Sequence, residues 1–365
     1  MPGILRTSAA RWIASAELCL LLASTAFAQH YTRTDLTTDS STVSSAPNID
    51  PNLVNPWGLS RSSTSPWWIS DNGTGLSTLY DGTGAIVPLV VTIPPPNGTQ
   101  GTAAPTGTVY NYTTGFEVAS GDPAVFLFVT EDGTISGWNP TVNKTQAVIM
   151  VNAPNRAIYK GCALATTAAG PRLYVANFKT ANVEVYDENF KRLTAEERFH
   201  DKLPPNYAPF GIQNVGGNIV VTFAQRNPGS TDENDGPGLG FVRVFDTDGN
   251  VLIRVQHGTF LNAPWGIALA PGDFGPFSHR LLIGNFGDGT INAFNAMSGK
   301  WEGTMLDTNG ATLSIAGLWG LSFGGDGSSN GLATALYFTS GPNDEGDGVF
   351  GTLTASSTEQ RGNTE

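Results

Sequence analysis

A short phrase recurs six times along this chain, and its spacing constrains the fold more than any other feature. In five of the six copies a small or aromatic residue precedes a glycine at the start of an apolar, alternating run typical of a β-strand. The third copy, Lys160-Gly161-Cys162, is degenerate. The marker glycines lie 49 to 55 residues apart, a period that indicates repeated blades of short strands. They are Gly58, Gly107, Gly161, Gly211, Gly266 and Gly320.

The fifth repeat shows the content of one blade most clearly. Four strand-like runs, at 265–270, 280–284, 290–294 and 300–306, are separated by turns rich in Gly, Pro and Asn. The sixth repeat has no clear outer strand, but the segment 31–36 ahead of the first repeat can fill that place. The sequence therefore predicts an all-β, six-bladed β-propeller with four-stranded blades and an N-terminal strand that closes the last blade.

The composition agrees with one repeat domain. The 365 residues include 44 Gly and 23 Pro, and only 14% are charged, which suits many short strands joined by tight turns. We expect a single propeller domain over 29–355, in which 29–45 forms the closing strand and the entry loop. A disordered tail is predicted for 356–365.

The first 28 residues are typical of a signal peptide. Arg6 and Arg11 precede the apolar run 18–23, and Ala26-Phe27-Ala28 offers a small-x-small cleavage site. We therefore expect a signal peptide over 1–28 and export to the periplasm or the extracellular space. No later run approaches the roughly 20 apolar residues of a membrane span.

Charge and cysteine content limit the partners. A formal net charge of −12 argues against nucleic acid and anionic membranes. After cleavage Cys162 is the one remaining cysteine, so we expect no intramolecular disulfide and a buried, inert thiol. The expected protein is a monomer whose partner is a small molecule, a glycan or another protein.

The predicted topology brings polar residues to one face. Because adjacent strands in a blade are antiparallel, each inner strand begins where each second strand ends, around the central opening. Carboxylate and amide oxygens at such ends suit Ca²⁺, although Asp and Asn are also ordinary turn formers. Two acidic loops, 231–235 and 343–347, fall on the same face and either bind ions or keep neighbours apart. The candidate metal ligands are Asp71, Glu131, Asn177 and Asn285.

Aromatic residues at the strand starts form a second set on this face. Their rings either wedge neighbouring blades or provide a stacking platform for a sugar, a peptide or an aromatic ligand. Gln225 follows the fourth of the second strands and would join them in contacting a ligand. The predicted ligand-binding aromatic residues are Trp57, Phe210, Trp265 and Trp319.

Candidates for catalysis are few. His257, in the loop before the fifth inner strand, is either a structural hydrogen-bonding residue or a general base. The chain has no His-Glu-x-x-His or P-loop motif.

Several of these phrases resemble a family of exported bacterial propeller proteins without an assigned activity. The resemblance runs from about Tyr31 to Thr354 and is carried by 53–58, 261–268 with 281–289, and 317–321. More distantly, the repeats resemble NHL-type propellers and the regucalcin and gluconolactonase group. That group holds an axial divalent cation through Glu, Asn and Asp and opens lactones.

Two functions follow as expectations. The first is a binding scaffold whose central acidic and aromatic face holds a ligand or protein, with a structural Ca²⁺ as an option. The second, which the gluconolactonase resemblance implies, is a metal-dependent hydrolase of lactones or esters. In that case the four candidate oxygen ligands would hold the cation, and His257 or a carboxylate would act as base.

Overall fold

A computed structural model describes residues 30–193 and 198–356 of the chain. The predicted signal peptide over 1–28 and most of the predicted tail lie outside the described residues. Within the described ranges, no helix has the length and apolarity that crossing a membrane would require. The one helical element among them is a single 3-10 turn, Gly275–Phe277.

The strands of the first half of the chain follow the predicted repeat. They are β1 (Tyr31–Thr38), β2 (Asn48–Ile49), β3 (Pro56–Ser60), β4 (Trp67–Asp71), β5 (Leu76–Tyr80), β6 (Val91–Thr92), β7 (Pro105–Tyr110), β8 (Glu117–Ala119), β9 (Asp122–Pro123), β10 (Phe126–Thr130), β11 (Thr134–Trp138), β12 (Val148–Asn152), β13 (Tyr159–Thr167), β14 (Gly170–Asn177), β15 (Asn182–Asp187) and β16 (Arg192–Leu193).

The second half continues the pattern. Its strands are β17 (Tyr207–Val215), β18 (Asn218–Arg226), β19 (Glu233–Asn234), β20 (Gly240–Phe245), β21 (Val251–Arg254), β22 (Pro264–Leu269), β23 (Arg280–Asn285), β24 (Ile291–Asn295), β25 (Trp301–Thr304), β26 (Leu318–Phe323), β27 (Leu336–Ser340) and β28 (Val349–Ala355).

These strands form six blades around a central axis. The first five are β3-β4-β5-β6, β7-β10-β11-β12, β13-β14-β15-β16, β17-β18-β20-β21 and β22-β23-β24-β25, each counted from the axis outward. Each inner strand contacts the inner strand of the next blade, and β26 contacts β3, which closes the ring. The prediction of a six-bladed, four-stranded propeller is confirmed.

The N-terminal strand completes the sixth blade, as the sequence predicts. β1 pairs antiparallel with β28 from Tyr31–Ala355 to Thr38–Val349, outside β27 and β26. The ring of Tyr31 is buried, and its hydroxyl donates to the carbonyl of Phe274 at 3.0 Å. The first and last strands of the described part of the chain therefore meet in one sheet.

The marker glycines lie where neighbouring inner strands approach one another closely. A Cβ on Gly58 would lie 2.5 Å from the carbonyl oxygen of Thr106 in the next blade. A Cβ on Gly107 would lie 2.6 Å from the amide nitrogen of Cys162. Since no side chain fits in such gaps, the repeat carries glycine at this position.

Large side chains fill the wedges between blades. Trp68 packs against Phe126 and Trp138 of the second blade, with ring centroids 4.3 and 4.6 Å apart. Trp67 packs on the opposite side against Tyr337, 4.7 Å away in the sixth blade. Cys162 is buried and unpaired, and burial raises the pKa of its thiol, in agreement with an inert core residue.

Candidate functional site

The strand registers bring the predicted residues to one face of the ring. Pro56 at the start of an inner strand pairs with Asp71 at the end of the second strand, and Tyr159 pairs with Asn177 in the same way. The turns that follow the second strands therefore surround the axis at the face where the inner strands begin. We call this side of the ring the central face.

The four aromatic residues of the repeats meet on the axis. The rings of Trp57 and Trp319 stack with centroids 3.5 Å apart, and Trp265 lies edge-on to both at 6.0 and 5.9 Å. Phe210 lies 6.3 Å from Trp57 and 5.8 Å from Trp319. We call these four rings the axial aromatic cluster.

The rings of the axial aromatic cluster are buried. They pack on one another rather than between blades. None of the four residues is more than 9% exposed. The indole nitrogen of Trp319 donates to Asn55 Oδ1 at 3.0 Å, and that of Trp265 donates to the carbonyl of Lys160 at 2.8 Å. The expected wedge between blades is instead supplied by Trp67 and Trp68. Ligand contact by the axial rings stays a prediction.

Lys160 is the residue of this site that the sequence analysis did not propose. It occupies the aromatic position of the degenerate third repeat, directly before Gly161. Lys160 is 1% exposed. Its Nζ lies 5.0 Å from the ring centroid of Trp57 and 5.8 Å from that of Phe210. A cation among aromatic rings is stabilised by their quadrupoles. The signal in the sequence was a lysine at a position that holds an aromatic residue in four of the other five copies.

Three carboxylates from two chain segments surround the ammonium group. Glu131, after β10, accepts a hydrogen bond from Lys160 Nζ at 2.6 Å. Glu233 and Asp232, in the acidic loop 231–235, lie 3.7 and 3.8 Å from the same nitrogen. Burial lowers the pKa of Lys160, but the attraction of these carboxylates outweighs it and leaves the pKa above its ordinary value.

A fourth carboxylate comes from the second acidic loop. Glu345 accepts a hydrogen bond from Asn55 Nδ2 at 2.6 Å and interacts electrostatically with Glu131 and Lys160. Asn72 Nδ2 in turn donates to Glu131 Oε2 at 3.0 Å. We call Glu131, Asp232, Glu233 and Glu345, together with Lys160, the central acidic cluster.

The backbone that carries Glu345 is strained. Asn343, Asp344 and Glu345 have φ values of 56°, 52° and 65°, three consecutive residues in the left-handed region without a glycine. This conformation costs a side-chain-bearing residue roughly 1–2 kcal/mol. Strain of this kind is often stored at functional sites.

The carboxylates of the cluster are not fully compensated by one ammonium group. Burial raises the pKa of Glu233 to about 7, with Lys160 opposing the shift and Glu345 and Glu131 adding to it. Burial also raises the pKa of Glu345, against the effect of its hydrogen bond from Asn55. The cluster thus has capacity for a proton or a further cation near neutral pH.

One further cation lies at the edge of the site. The guanidinium of Arg226 lies 5.4 Å from the ring centroid of Phe178, and its Nη1 donates to the carbonyl of Lys179 at 3.0 Å. Burial lowers the pKa of Arg226 from its ordinary value. Lys160 is the cation that the carboxylates contact directly.

The four predicted metal ligands have separate partners. Asp71 accepts from the amide of Thr78 at 2.9 Å, and Glu131 binds Lys160. The amide oxygens of Asn177 and Asn285 accept backbone N–H groups, from Ile158 at 3.3 Å and Asn262 at 3.1 Å. No hydrogen bond in 30–193 or 198–356 joins any two of the four.

The metal and catalytic predictions can be compared with the side-chain contacts of the described residues. No group of three or more His, Cys, Asp or Glu side chains in the described ranges is arranged to hold a metal ion. His257 is exposed, stacks on Phe241 at 4.4 Å and bonds the carbonyl of Gly238 through Nε2 at 3.0 Å. Gln225 is half-buried and pairs in the sheet with Tyr207. Calcium binding and catalysis by His257 stay predictions.

Two viral proteins are similar to this chain along most of their length. The uncharacterized protein L690 of Acanthamoeba polyphaga mimivirus is 32% identical over 319 residues, which cover 84% of this chain and 82% of that protein. The uncharacterized protein R648 of the same virus is 32% identical over 288 residues, which cover 76% and 70%. No protein-family model matches the chain.

Solved structures share the fold at low identity. A catalytically inactive virginiamycin B lyase from Staphylococcus aureus with quinupristin has a TM-score of 0.50 at 13% identity, covering 90% of this chain and all of that one. A glucose dehydrogenase has a TM-score of 0.51 at 13% identity, covering 89% and 100%. A Bacteroides thetaiotaomicron protein of unknown function has a TM-score of 0.53 at 10% identity, covering 88% and 76%. At these identities the likeness shows the propeller fold alone.

Proposed function

This chain belongs to the family of the mimivirus proteins L690 and R648, and we propose that it is a ligand-binding propeller whose central acidic cluster receives a cationic group. The observation that carries this proposal is the excess of carboxylates on the axis. Three of them lie within 3.8 Å of one ammonium group, Glu345 interacts with it electrostatically, and the side chain of Glu233 is only 7% exposed.

Burying carboxylates without compensating positive charge raises the free energy of the protein. A ligand that supplies positive charge lowers this free energy, which favours its binding. Lys160 is held in the axial aromatic cluster and already bonds Glu131, which leaves Glu233, Glu345 and the exposed Asp232 to a ligand. An ammonium or guanidinium group would complete the charge balance and donate hydrogen bonds to these carboxylates. The expected ligand is therefore an amine, a guanidinium compound or a basic segment of a protein.

The competing function is the metal-dependent hydrolase. The four residues predicted to hold its cation are committed to other partners, and no observation in the described residues favours it over binding. It is therefore not part of the present proposal. Export of the protein, which rests on residues 1–28, stays an expectation beside it.

The direct test is calorimetric titration of the purified protein with 1,4-diaminobutane and arginine amide, each against a neutral analogue of similar size. We expect binding of the cationic compounds with a Kd of roughly 0.1–1 mM and no binding of the neutral ones. Glu345→Gln is expected to weaken binding about tenfold, because it removes one ionic partner. Calcium chloride in the same series tests the metal prediction.

The matched control is Glu117→Gln. Glu117 is an exposed carboxylate in β8, on an insertion between the end of β7 and the start of β10, away from the central face. This variant should bind like the parent protein. Equal binding of the neutral analogues, or a Glu345→Gln variant that binds as the parent does, would overturn the proposal.

A further inference from the structure

A second concave site lies away from the axis, between the second and third blades. It is a cleft with a volume of about 660 Å³, within the range of small-molecule sites. Its walls come from β12, from the connection 153–157 into β13, and from β15 and β16. We call it the blade 2–3 cleft.

The floor of the cleft is a closed hydrogen-bond network. Tyr159 and Tyr186 donate their hydroxyl groups to Glu184 at 2.9 and 2.7 Å, and Asn177 Nδ2 donates to the same carboxylate at 3.0 Å. Burial raises the pKa of both tyrosines, so the hydroxyl groups stay protonated. Arg192 Nη2 lies 3.3 Å from Glu184 Oε1. The carboxylate is therefore saturated with donors and its charge is compensated.

Positive charge prevails at the mouth of the cleft. Arg156 and Arg192 line it, and Glu184 is the one acidic residue among the lining residues. Arg192 is half exposed, and the Arg156 guanidinium has no ion pair or hydrogen bond in the described part of the chain. In a protein with 31 acidic and 19 basic residues, this local excess is unusual. The unpaired Arg156 guanidinium and the half-exposed Arg192 guanidinium present the planar donor pattern that carboxylates bind.

The remaining wall is apolar. Met150, Val151 and Phe190 line the cleft, and the first two are half-buried. Apolar surface next to a few oriented polar groups is the usual composition of a small-molecule site.

We propose that the blade 2–3 cleft binds a small organic carboxylate with an apolar body, its carboxylate on Arg156 and Arg192 and its apolar part against Met150 and Val151. The site is independent of the central acidic cluster, which selects the opposite charge. The ligand class follows from the two guanidinium groups, the compensated Glu184 and the dimensions of the cleft.

The experiment is calorimetric titration of the full chain. Octanoate and 3-phenylpropionate are the probes, and octanamide and 3-phenylpropionamide are their neutral counterparts. We expect the carboxylates to bind at least roughly tenfold more tightly than the amides. Arg156→Gln should remove most of this preference, and because Arg156 is exposed the variant should fold normally. Arg192→Gln provides a second variant with the same expected loss.

Arg198→Gln is the matched control. Arg198 is exposed and pairs with the exposed Asp248, outside the cleft. This variant should keep the preference for carboxylates, and so should Glu345→Gln at the central face. Amides that bind as tightly as carboxylates, no measurable carboxylate binding, or loss of the preference in Arg198→Gln would each overturn the inference.

Discussion

At the scale of single residues, one departure from the repeat determines which charged groups lie at the centre of the molecule. Where four of the other five copies place an aromatic ring before the marker glycine, the third places Lys160, and its ammonium group lies among those rings. Carboxylates from the acidic loops and from Glu131 then gather around it. The exchange of a ring for a charge makes the axis polar at one face.

Removing that charge tests the arrangement. Lys160→Met keeps most of the buried volume but leaves Glu131 and Glu233 without their partner, so we expect a loss of about 3–5 kcal/mol in the free energy of unfolding at pH 8. At pH 6 the loss should be smaller, because Glu233 is then largely protonated. Urea unfolding at both pH values measures it. Unchanged stability at pH 8 would show that the lysine does not compensate these carboxylates.

The double variant Lys160→Met with Glu131→Gln separates charge from packing. It removes the buried ammonium group together with the carboxylate that bonds it at 2.6 Å. We expect it to be more stable than Lys160→Met alone.

At the scale of elements, the strained backbone of the turn 343–345 lowers the stability of the fold but places a side chain at the central face. Its three left-handed residues bring Glu345 to Asn55 and into the central acidic cluster. Asp344 is exposed, so a change there alters the backbone preference without removing a buried side chain. Since glycine tolerates positive φ, Asp344→Gly should relieve part of the strain.

We therefore expect Asp344→Gly to raise the free energy of unfolding by about 1 kcal/mol. Thermal and urea unfolding of the two proteins gives the value. The control Asp248→Gly lies in an exposed turn without positive φ and should be neutral or destabilising. An equal gain in both variants would mean that the left-handed turn stores no strain.

The elements were more predictable from the sequence than the site. Periodic strands and turn chemistry located the six blades, because both are local properties of the sequence. The Glu345–Asn55 hydrogen bond and the Lys160–Glu233 pair join residues far apart in the chain, and no local pattern specifies such partners. The structure places the rings of the aromatic residues against one another, and whether such rings face a ligand or one another depends on packing that no local pattern specifies.

At the scale of the whole molecule, the ring is closed by its own N-terminal strand. Tyr31 in β1 packs its ring against Phe274 and Phe277, 4.8 and 6.1 Å away, and bonds Phe274 through its hydroxyl. The closing strand is thereby tied to the fifth blade as well as to β28 of the sixth.

Tyr31→Ala should weaken this closure. A buried aromatic residue replaced by alanine costs about 3–5 kcal/mol, and we expect the loss together with faster hydrogen exchange in β1 and β28. Tyr112→Ala is the control, because Tyr112 is 52% exposed and should change stability little. Exchange in β1 and β28 that stays as slow as in the parent would contradict a closing role for Tyr31.

The most direct measurement of the central claim is proton release when 1,4-diaminobutane binds, determined by calorimetry at pH 7 in two buffers of different ionisation enthalpy. Burial holds the pKa of Glu233 at about 7, and a cation beside it must lower that pKa. Binding should therefore release protons at pH 7, and the affinity should rise about tenfold from pH 6 to pH 8. Glu233→Gln should abolish both effects, and Glu117→Gln should keep them. Proton uptake, or release that persists in Glu233→Gln, would contradict a cation site at the central acidic cluster.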